Sequence, residues 1–522
     1  MPKKYQIASL EELALRSVGR FVTDVGRHII KPVCTISLTD PAHGIATLQL
    51  WLQWIKHQLV SSIPWYLYDR MSVEVLKAIL NLINETKNSF SQYFPITTYL
   101  SEMNVIVNLT EVVIHSNLKT IEFSIWPKIM RHVLYKNLNA MTGLEVLDLG
   151  SGSAGWRTSG IEKMIIGGVS SMPNLMSFTL CFDCTDSIVT AIGQNCPKLR
   201  KLDVTASRSV TDRCLTVLRT CWQLRQIQLF RTSVSIAGYA ELLSEHPNLE
   251  DIGRCDEFGY VLEHIRITGS YKQPLNLKVF ESRDVTTEHL HLLVEMCPNL
   301  IKVSIVHDET INDVLILSAL NNLTELKLLC CDFFTDRIKE LLETKGSKLT
   351  NLHLEHVNEI DLNALVYISQ FCPILKNLVL YNCEFVEHAA VIPKKLFVPP
   401  FKYLERIKCV ADCAHLHLEF LLSHCINIKF IQLGSSTGIG DDTMARVLSK
   451  NPMNKLEELK ILYSDDLSMK TVRLLMQNCD NLRRLSELES WQGISMAELN
   501  VFQNELRIIN IDLDISPTLS LA

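Results

Sequence analysis

The fold is indicated most clearly by residues 196–221, whose sequence is CPKLRKLDVTASRSVTDRCLTVLRTC. Apolar residues alternate at Leu202 and Val204, as in a strand, and then recur at helical spacing. Thr211 and Asp212 stand between the two patterns, where a side chain can cap the free first-turn amides of a helix. The segment therefore predicts one short strand followed by one helix.

The same pattern recurs along most of the chain. Segments of the form Leu-x-x-Leu-x-Leu give fifteen anchor positions, separated by 23 to 31 residues, which is the period of leucine-rich repeats. Each unit cannot bury its apolar face without its neighbours, so the repeats should stack. Cap pairs recur at Thr185-Asp186, Thr335-Asp336 and Asp441-Asp442. The anchors are Leu144, Leu175, Leu199, Leu224, Leu249, Leu277, Leu300, Leu323, Leu349, Leu375, Leu404, Ile428, Leu456, Leu482 and Leu506.

These units resemble the cysteine-containing leucine-rich repeats of ribonuclease-inhibitor-like horseshoes, especially those of F-box and other ubiquitin-ligase receptors. The resemblance covers roughly residues 140–515 and rests on Cys-Pro-x-Leu openings at Cys196, Cys297 and Cys372. We expect an α/β leucine-rich-repeat solenoid over residues 144–522, irregular first repeats over 91–143, and an N-terminal helical adaptor-binding or capping segment over 1–90. Two units depart from the pattern, at Gly150–Gly168 and at the prolines Pro393, Pro399 and Pro400, where a projecting loop is expected.

Composition excludes several classes of function. The net charge is -6 and no long Lys/Arg run occurs, so nucleic acid is not an expected partner. No signal-peptide pattern opens the chain, and no uncharged apolar stretch reaches about eighteen residues, so we expect a cytoplasmic or nuclear protein. Its sixteen cysteines are then expected to be reduced thiols.

The N-terminal segment carries a separate signal. Ser9-Leu10-Glu11-Glu12 forms a capping box, in which Ser9 caps a helix beginning at Leu10 and Glu12 reaches back. The apolar positions expected to form one face of this helix are Leu10, Leu13, Ala14, Val18, Phe21, Val22 and Val25.

This helix resembles a BC-box, the Elongin C-binding motif of cullin-2 and cullin-5 substrate receptors. Ser9, Leu10 and Val18 fit the motif, and Ala14 stands where the family has cysteine. The resemblance implies that Leu10 enters a pocket of the partner while Ala14 permits close approach.

A second motif follows at residues 63–71. Ile63, Pro64, Leu67 and Met71 resemble the four defining positions of a cullin-2 box. The order of the motifs is similar to that of cullin-2 receptors of the Zyg-eleven and Zer-one kind, although the 44 residues of 19–62 make the separation longer than is usual there. The resemblance implies binding to Elongin B/C and cullin-2.

Two alternatives stay open. Residues 63–79 also resemble the opening of an F-box, which would imply Skp and cullin-1, although the later Val-Cys-x-x-Trp element is absent. Alternatively, residues 1–90 only cap the solenoid, and the chain is a ligase-independent interaction scaffold.

The strand residues between the buried leucines form the expected binding surface for a protein substrate. Cys181-x-x-Cys184 and the histidines His415, His417 and His424 match no complete metal-ligand set, and no residue is a candidate for catalysis or for holding a cofactor. The candidate substrate-binding residues are Phe230, Asn351, His353, Glu355, Tyr381 and Phe430, of which the aromatic residues are the expected exposed anchors.

Overall fold

The computed structural model of the chain describes residues 2–4, 6, 8–89, 95–151, 159–269, 273–387, 401–413 and 415–518. They fall into two compact units, one within residues 8–253 and one formed by residues 254–518 with the first residues of the chain. Both units are built from parallel strands alternating with helices, so the expected α/β leucine-rich-repeat fold with a helical N-terminal region is confirmed.

The first unit begins with helices and continues with repeats. Its strands are β1 Thr120–Glu122, β2 Val146–Ser151, β3 Ser177–Cys181, β4 Lys201–Asp203 and β5 Gln226–Gln228, which form one parallel sheet in chain order. Shorter 3-10 helices cover Trp65–Leu67, Leu109–Val113, Leu138–Ala140 and Asp212–Thr220. The α-helices are α1 Leu10–Thr39, α2 Pro41–Ser62, α3 Tyr68–Ser89, α4 Ile96–Asn108, α5 Lys128–Lys136, α6 Ser159–Val169, α7 Asp186–Asn195 and α8 Ile236–Glu245.

The second unit contains a nine-stranded parallel sheet. Its helices are α9 Phe258–Ile267, α10 Thr287–Met296, α11 Ile338–Lys345, α12 Leu362–Phe371, α13 His415–His424, α14 Asp441–Lys450, α15 Met469–Asn478 and α16 Met496–Ile508. The sheet holds β6 Val279–Ser282, β7 Lys302–Val306, β8 Glu325–Leu329, β9 Asn351–Glu355, β10 Asn377–Tyr381, β11 Arg406–Val410, β12 Phe430–Leu433, β13 Glu458–Ile461 and β15 Arg484–Ser486. The remaining short strands, β14 Ser464–Ser468 and β16 Trp491–Gly493, pair with each other.

The anchor positions form the core of the repeats. Every anchor from Leu144 to Leu482 is at most 1% exposed, which confirms the repeat alignment over these units. Leu506 is buried as well, but it lies in α16 and not just before a strand, so its prediction as a repeat anchor was wrong. Leu118, Ile121 and Phe123 are buried around β1, which lies within the irregular first repeats expected over 91–143 and precedes the first aligned anchor.

The helix caps agree with the sequence in part. Thr185 accepts a hydrogen bond from the Ile188 amide and caps α7, as expected. Thr211 also caps its helix, although that helix, Asp212–Thr220, has 3-10 rather than α geometry.

Two cap pairs were assigned incorrectly. Thr335 binds the Glu359 carboxylate, and Arg337, with a left-handed backbone, directly precedes α11. Gly440 occupies the cap position of α14, so Asp441 and Asp442 lie in the first turn instead.

The aspartates that open these helices link one repeat to the next. Asp186, Asp212 and Asp441 are the first residues of α7, of the 3-10 helix Asp212–Thr220 and of α14. The Asp186 carboxylate accepts hydrogen bonds from the amide and hydroxyl of Thr211, both at 2.7 Å. Asp212 accepts the same pair from Ser235, at 2.8 and 2.6 Å. The Thr-Asp signal therefore combines a cap within a repeat with an inter-repeat bond that the sequence alone did not suggest.

Two sequence features lie wholly or partly outside the described residues. The loop expected at Pro393, Pro399 and Pro400 falls there, as does the central part of Gly150–Gly168, after which α6 begins at Ser159. Among the described helices, none combines the length and apolar composition needed to cross a membrane.

The cysteines are free thiols, and most pack as core residues. Cys196, Cys221, Cys297, Cys372, Cys425 and Cys479, which precede the anchors, are all buried. Burial raises the pKa of Cys297 and of Cys372 to about 12, which leaves almost no reactive thiolate at neutral pH.

Thiol accessibility gives a first test of this packing. Cys330 is exposed, Cys181 is half-buried, and the other cysteines are buried, so we expect Cys330 to react first with a maleimide in the native protein. Mass spectrometry of tryptic peptides measures the labelling. The variant Cys330→Ser should lose the fast phase, and a fast phase that survives this substitution would contradict the burial described here.

Candidate protein-binding surfaces

Helix α1 buries one face and leaves most of the expected apolar face accessible. Ser9 caps it as expected, accepting a hydrogen bond from the Glu12 amide at 3.1 Å, whereas the Glu12 carboxylate binds Arg16 instead of reaching back. Of the seven apolar positions expected on one face, only Val22 is fully buried, and Leu10, Leu13, Ala14 and Phe21 are exposed. The residues that are buried recur at alternating spacings of four and three: Leu15, Gly19, Val22, Gly26, Ile29 and Val33. This is a heptad stripe whose glycines admit close neighbours.

Helices α1 and α2 form a hairpin that returns the chain to its starting end. Asp40 caps α2 through the Ala42 and His43 amides, and the turn brings Gly44 against Ser37. Helix α3 then runs alongside α1, with Gly19 near Glu74 and Ala78. The 44 residues between the two motifs are therefore mostly the arms of this hairpin.

The BC-box-like residues lie on the accessible side of α1. The Leu10 side chain is 85% exposed in the first helical turn, and Ala14 is also exposed one turn later. Val18, two turns after Leu10, is half-buried. An apolar side chain this exposed at a helix start is available to enter a partner's pocket.

The cullin-box-like residues are divided between surface and core. Ile63 ends α2 half-buried, Pro64 is exposed before the 3-10 turn Trp65–Leu67, and Leu67 is half-buried. Met71 is fully buried, so of these two motif positions only Leu67 is accessible to a partner.

The two motifs lie at the same end of the helical region. Arg70, in the first turn of α3, forms an ion pair with Glu11, in the first turn of α1. Both side chains are about half exposed, so the pair adds little stability. It does show that the starts of α1 and α3 lie next to each other. A single partner surface could therefore contact both helix starts.

Several exposed aromatic rings, which the motifs themselves do not predict, lie near these residues. Trp65 and Tyr66 are 69% and 66% exposed, with their rings 6.0 Å apart. Farther along the bundle, Trp54 lies 6.2 Å from Phe21 and 5.8 Å from Trp51, and all three are partly exposed. Exposed aromatic clusters are typical of protein interfaces. Residues 19–62 therefore separate the two motifs and also carry candidate contact residues.

The second candidate surface is the outward face of the strands. In β9, Leu352 and Leu354 are buried whereas Asn351, His353 and Glu355 point away from the core, as expected. The Asn377 amide of β10 donates to the Asn351 side chain at 2.8 Å. The strands thus present continuous rows of side chains from one repeat to the next.

The aromatic residues of this surface are less exposed than expected. Tyr381 and Phe430, in the second unit, are half-buried and carry cations on their rings. Phe230 belongs to the first unit, where it follows β5, is half-buried and lies under Arg231.

His353 and Glu355 occupy the most electrostatically perturbed part of this surface. Burial, followed by the charge of Lys327, lowers the pKa of His353 to about 4 and keeps the ring neutral near pH 7. Burial works to raise the pKa of Glu355, but the hydrogen bond and charge of Lys327 bring it below its usual value. The His353 Nε2 atom is 3.4 Å from the Glu355 carboxylate without hydrogen-bonding geometry, and it is buried without a partner.

The remaining sequence candidates do not gather into a site. Cys181 ends β3 and Cys184 is buried in the loop that follows. On α13, His415 is exposed, His417 is buried and His424 bonds to the Phe420 carbonyl, so the three do not share a solvated face. No group of three potential metal ligands converges in the part of the chain that the structure describes.

Comparison with known proteins finds similarity at the level of structure. No protein-family model and no curated protein sequence matches the chain. Among solved structures, it is similar to a leucine-rich-repeat protein of Leptospira interrogans, with 14% identity over 77% of this chain and 95% of that chain (TM-score 0.33). An internalin of Listeria monocytogenes shows 13% identity over 68% and 83% (TM-score 0.28). A chain of the yeast Rad7 and Elc1 complex shows 9% identity over 94% and 92% (TM-score 0.33).

At these identities the similarity concerns the fold alone. The chain has a leucine-rich-repeat fold, in which successive strands present side chains for protein interaction.

Proposed function

We propose that this chain is the substrate-recognition subunit of a cullin-RING ubiquitin ligase. In this proposal the N-terminal helices bind Elongin B/C and cullin-2, and the repeats bind a protein substrate. The chain contributes binding and positioning, while other subunits carry out ubiquitin transfer. The observation that supports this most directly is the exposure of Leu10, the motif's anchor, in the capped first turn of α1.

The second motif supports the proposal in a modified form. Ile63, Pro64 and Leu67 are accessible for contact with a cullin, and the exposed Trp65 and Tyr66 lie among them. Met71 instead holds α3 in place from the core. The Glu11–Arg70 pair supports a shared docking end for adaptor and cullin.

We expect Leu10→Asp to reduce Elongin B/C binding by about thirtyfold or more, the effect of removing one interface anchor worth about 2 kcal/mol. The measurement is affinity of the purified chain for purified Elongin B/C. Leu38→Asp is the matched control, because Leu38 lies at the other end of α1 and is 73% exposed, so it makes the same chemical change away from the motif. Equal affinity of both variants and the parent chain would refute the proposal.

The cullin motif is tested by co-purification from cells. Pro64→Ala combined with Leu10→Asp should release cullin-2. Recovery of Skp and cullin-1 instead, abolished by changes within residues 63–79, would favour the F-box alternative. Failure to recover any cullin with the parent chain would favour the ligase-independent scaffold.

A further inference from the structure

The outward face of β7 to β12 carries four cations that the sequence analysis did not single out. We call Lys302, Lys327, Arg406 and Lys408 the basic strip. Lys327 and His353 are register partners, and Lys408 follows in the same row after Val379 of β10. Lys302 and Arg406 lie in the neighbouring row. The strip therefore crosses consecutive repeats on one surface.

The charge of this face is opposite to that of the whole chain. The outward strand positions of this face carry four cations and two carboxylates, Glu325 and Glu355. The whole chain, in contrast, has a net charge of -6. Lys327 is paired with Glu355 at 2.8 Å. Within the described residues, no carboxylate lies within 4 Å of the other three cations of the strip. Uncompensated cations on a surface of an acidic protein indicate an anionic partner.

Two of these cations are held against aromatic rings. The Lys408 ammonium lies 5.6 Å from the centroid of the Tyr381 ring, and the Arg406 guanidinium lies 4.4 Å from that of Phe430. A ring face positions a cation but does not occupy its N–H donors. The arrangement therefore offers oriented donors for carboxylates beside apolar surface.

His353 adds a polar group without adding charge. Its buried Nε2 has no hydrogen-bond partner among the described residues, and burial with the charge of Lys327 lowers the pKa of the ring to about 4. Because that atom is enclosed, the neutral ring separates Lys327 from Lys408 along the row without adding to the positive charge of the strip.

The length of the face limits its occupant. From β7 to β12 there are five inter-strand steps of about 4.8 Å, or about 24 Å, which an extended chain crosses in about seven residues. The net positive charge of the face is small for nucleic acid, whose binding depends on many phosphate contacts.

We infer that the outward face of β7 to β12 binds an acidic peptide segment about seven residues long. Its carboxylates meet Lys302, Arg406 and Lys408, and an apolar side chain packs against Tyr381 or Phe430. This inference rests on the proposed function in one respect, that the repeats hold the substrate, and it names the chemistry of that substrate.

Peptide binding to the full chain tests the inference. The probes are fluorescein-labelled Glu-Glu-Phe-Glu-Glu-Tyr-Glu and its counterpart with lysine replacing every glutamate, followed by fluorescence anisotropy. We expect the acidic peptide to bind, the lysine peptide not to bind, and the combined Arg406→Glu and Lys408→Glu variant to lose at least about tenfold in affinity. Arg406→Gln with Lys408→Gln should show a smaller loss.

The matched control is Lys455→Glu with Lys470→Glu, which makes the same change in net charge at exposed positions outside the strands. It should retain binding. Failure of the acidic peptide to bind, equal loss in the control, or tighter binding of a single-stranded DNA oligonucleotide would overturn the inference. Leu10→Asp should leave peptide binding unchanged, because Leu10 lies outside this face. The peptide inference and the ligase proposal can therefore fail independently: the first in the peptide-binding measurement, the second in the Elongin B/C measurement.

Discussion

The variant Gly19→Ala is expected to be about 2 kcal/mol less stable than the parent chain, although alanine normally favours a helix by about 1 kcal/mol over glycine. A Cβ atom at Gly19 would lie 2.9 Å from the Glu74 carbonyl oxygen and 3.1 Å from the Ala78 Cβ. The first of these neighbours is backbone, so α3 must move away from α1. We estimate about 3 kcal/mol for that overpacking, partly offset by the helix propensity.

Hydrogen exchange with mass spectrometry measures this effect locally. Amides of α1 and α3 should lose protection in Gly19→Ala. Gly167→Ala is the matched control, because Gly167 lies in α6 and a Cβ there would meet no atom within 4 Å. That variant should gain up to about 1 kcal/mol. Unchanged protection of α1 and α3 would show that the two helices are packed less closely than described.

The second large effect is expected for Asp441→Ala, a loss of about 3 kcal/mol in the free energy of unfolding. The Asp441 carboxylate accepts hydrogen bonds from the Ser468 amide at 3.1 Å, the Ser468 hydroxyl at 2.5 Å and the Thr471 hydroxyl at 2.6 Å. Thr471 is fully buried, so its donor would remain without a partner and without water. Urea unfolding followed by circular dichroism measures the change.

The neighbouring aspartate supplies the control. The Asp442 side chain is 87% exposed and lies 3.5 Å from Lys470, so Asp442→Ala should change stability by less than about 0.5 kcal/mol. Asp441→Asn retains one acceptor oxygen and should fall between the two. Equal stability of Asp441→Ala and Asp442→Ala would contradict the inter-repeat bond.

The same carboxylate makes this contribution depend on pH. Burial works to raise the pKa of Asp441, but hydrogen bonds from Ser468 and Thr471 bring it below its usual value. A carboxylate with a lowered folded-state pKa stabilises the protein above its unfolded pKa, near 4, and this stabilisation is lost as the pH falls further. The stability gap between the parent and Asp441→Ala should therefore shrink below about pH 4.

The repeats could be predicted from the sequence because leucines at regular spacing are usually buried in the core. Leu199 and Leu224 lie in a regular pattern and are fully buried. Leu506 fits the same pattern but belongs to a helix. The prediction failed there because a strand pattern of so few residues cannot be distinguished from part of a helical pattern. Met71 shows the related limit that a motif position says nothing about whether its side chain faces a partner or the core.

The candidate binding surfaces were harder to predict because they depend on residues without a hydrophobic signal. The buried stripe of α1 includes Gly19 and Gly26, which contribute nothing to an apolar count, so the sequence did not reveal this second, buried face of the helix. The cations of the basic strip occupy outward strand positions that alternation does predict. Their convergence depends on the register between repeats, and no single repeat contains it.

The α1–α2 hairpin shows that the two proposed docking motifs can lie close together although 44 residues separate them in the sequence. A chain that goes out and returns over arms of similar length brings its ends together, so equal insertions in both arms would preserve their proximity. Seven residues added to one arm alone would displace one motif from the other by about 10 Å. Searches for related docking modules should therefore allow long spacers and require that they consist of two balanced helical arms.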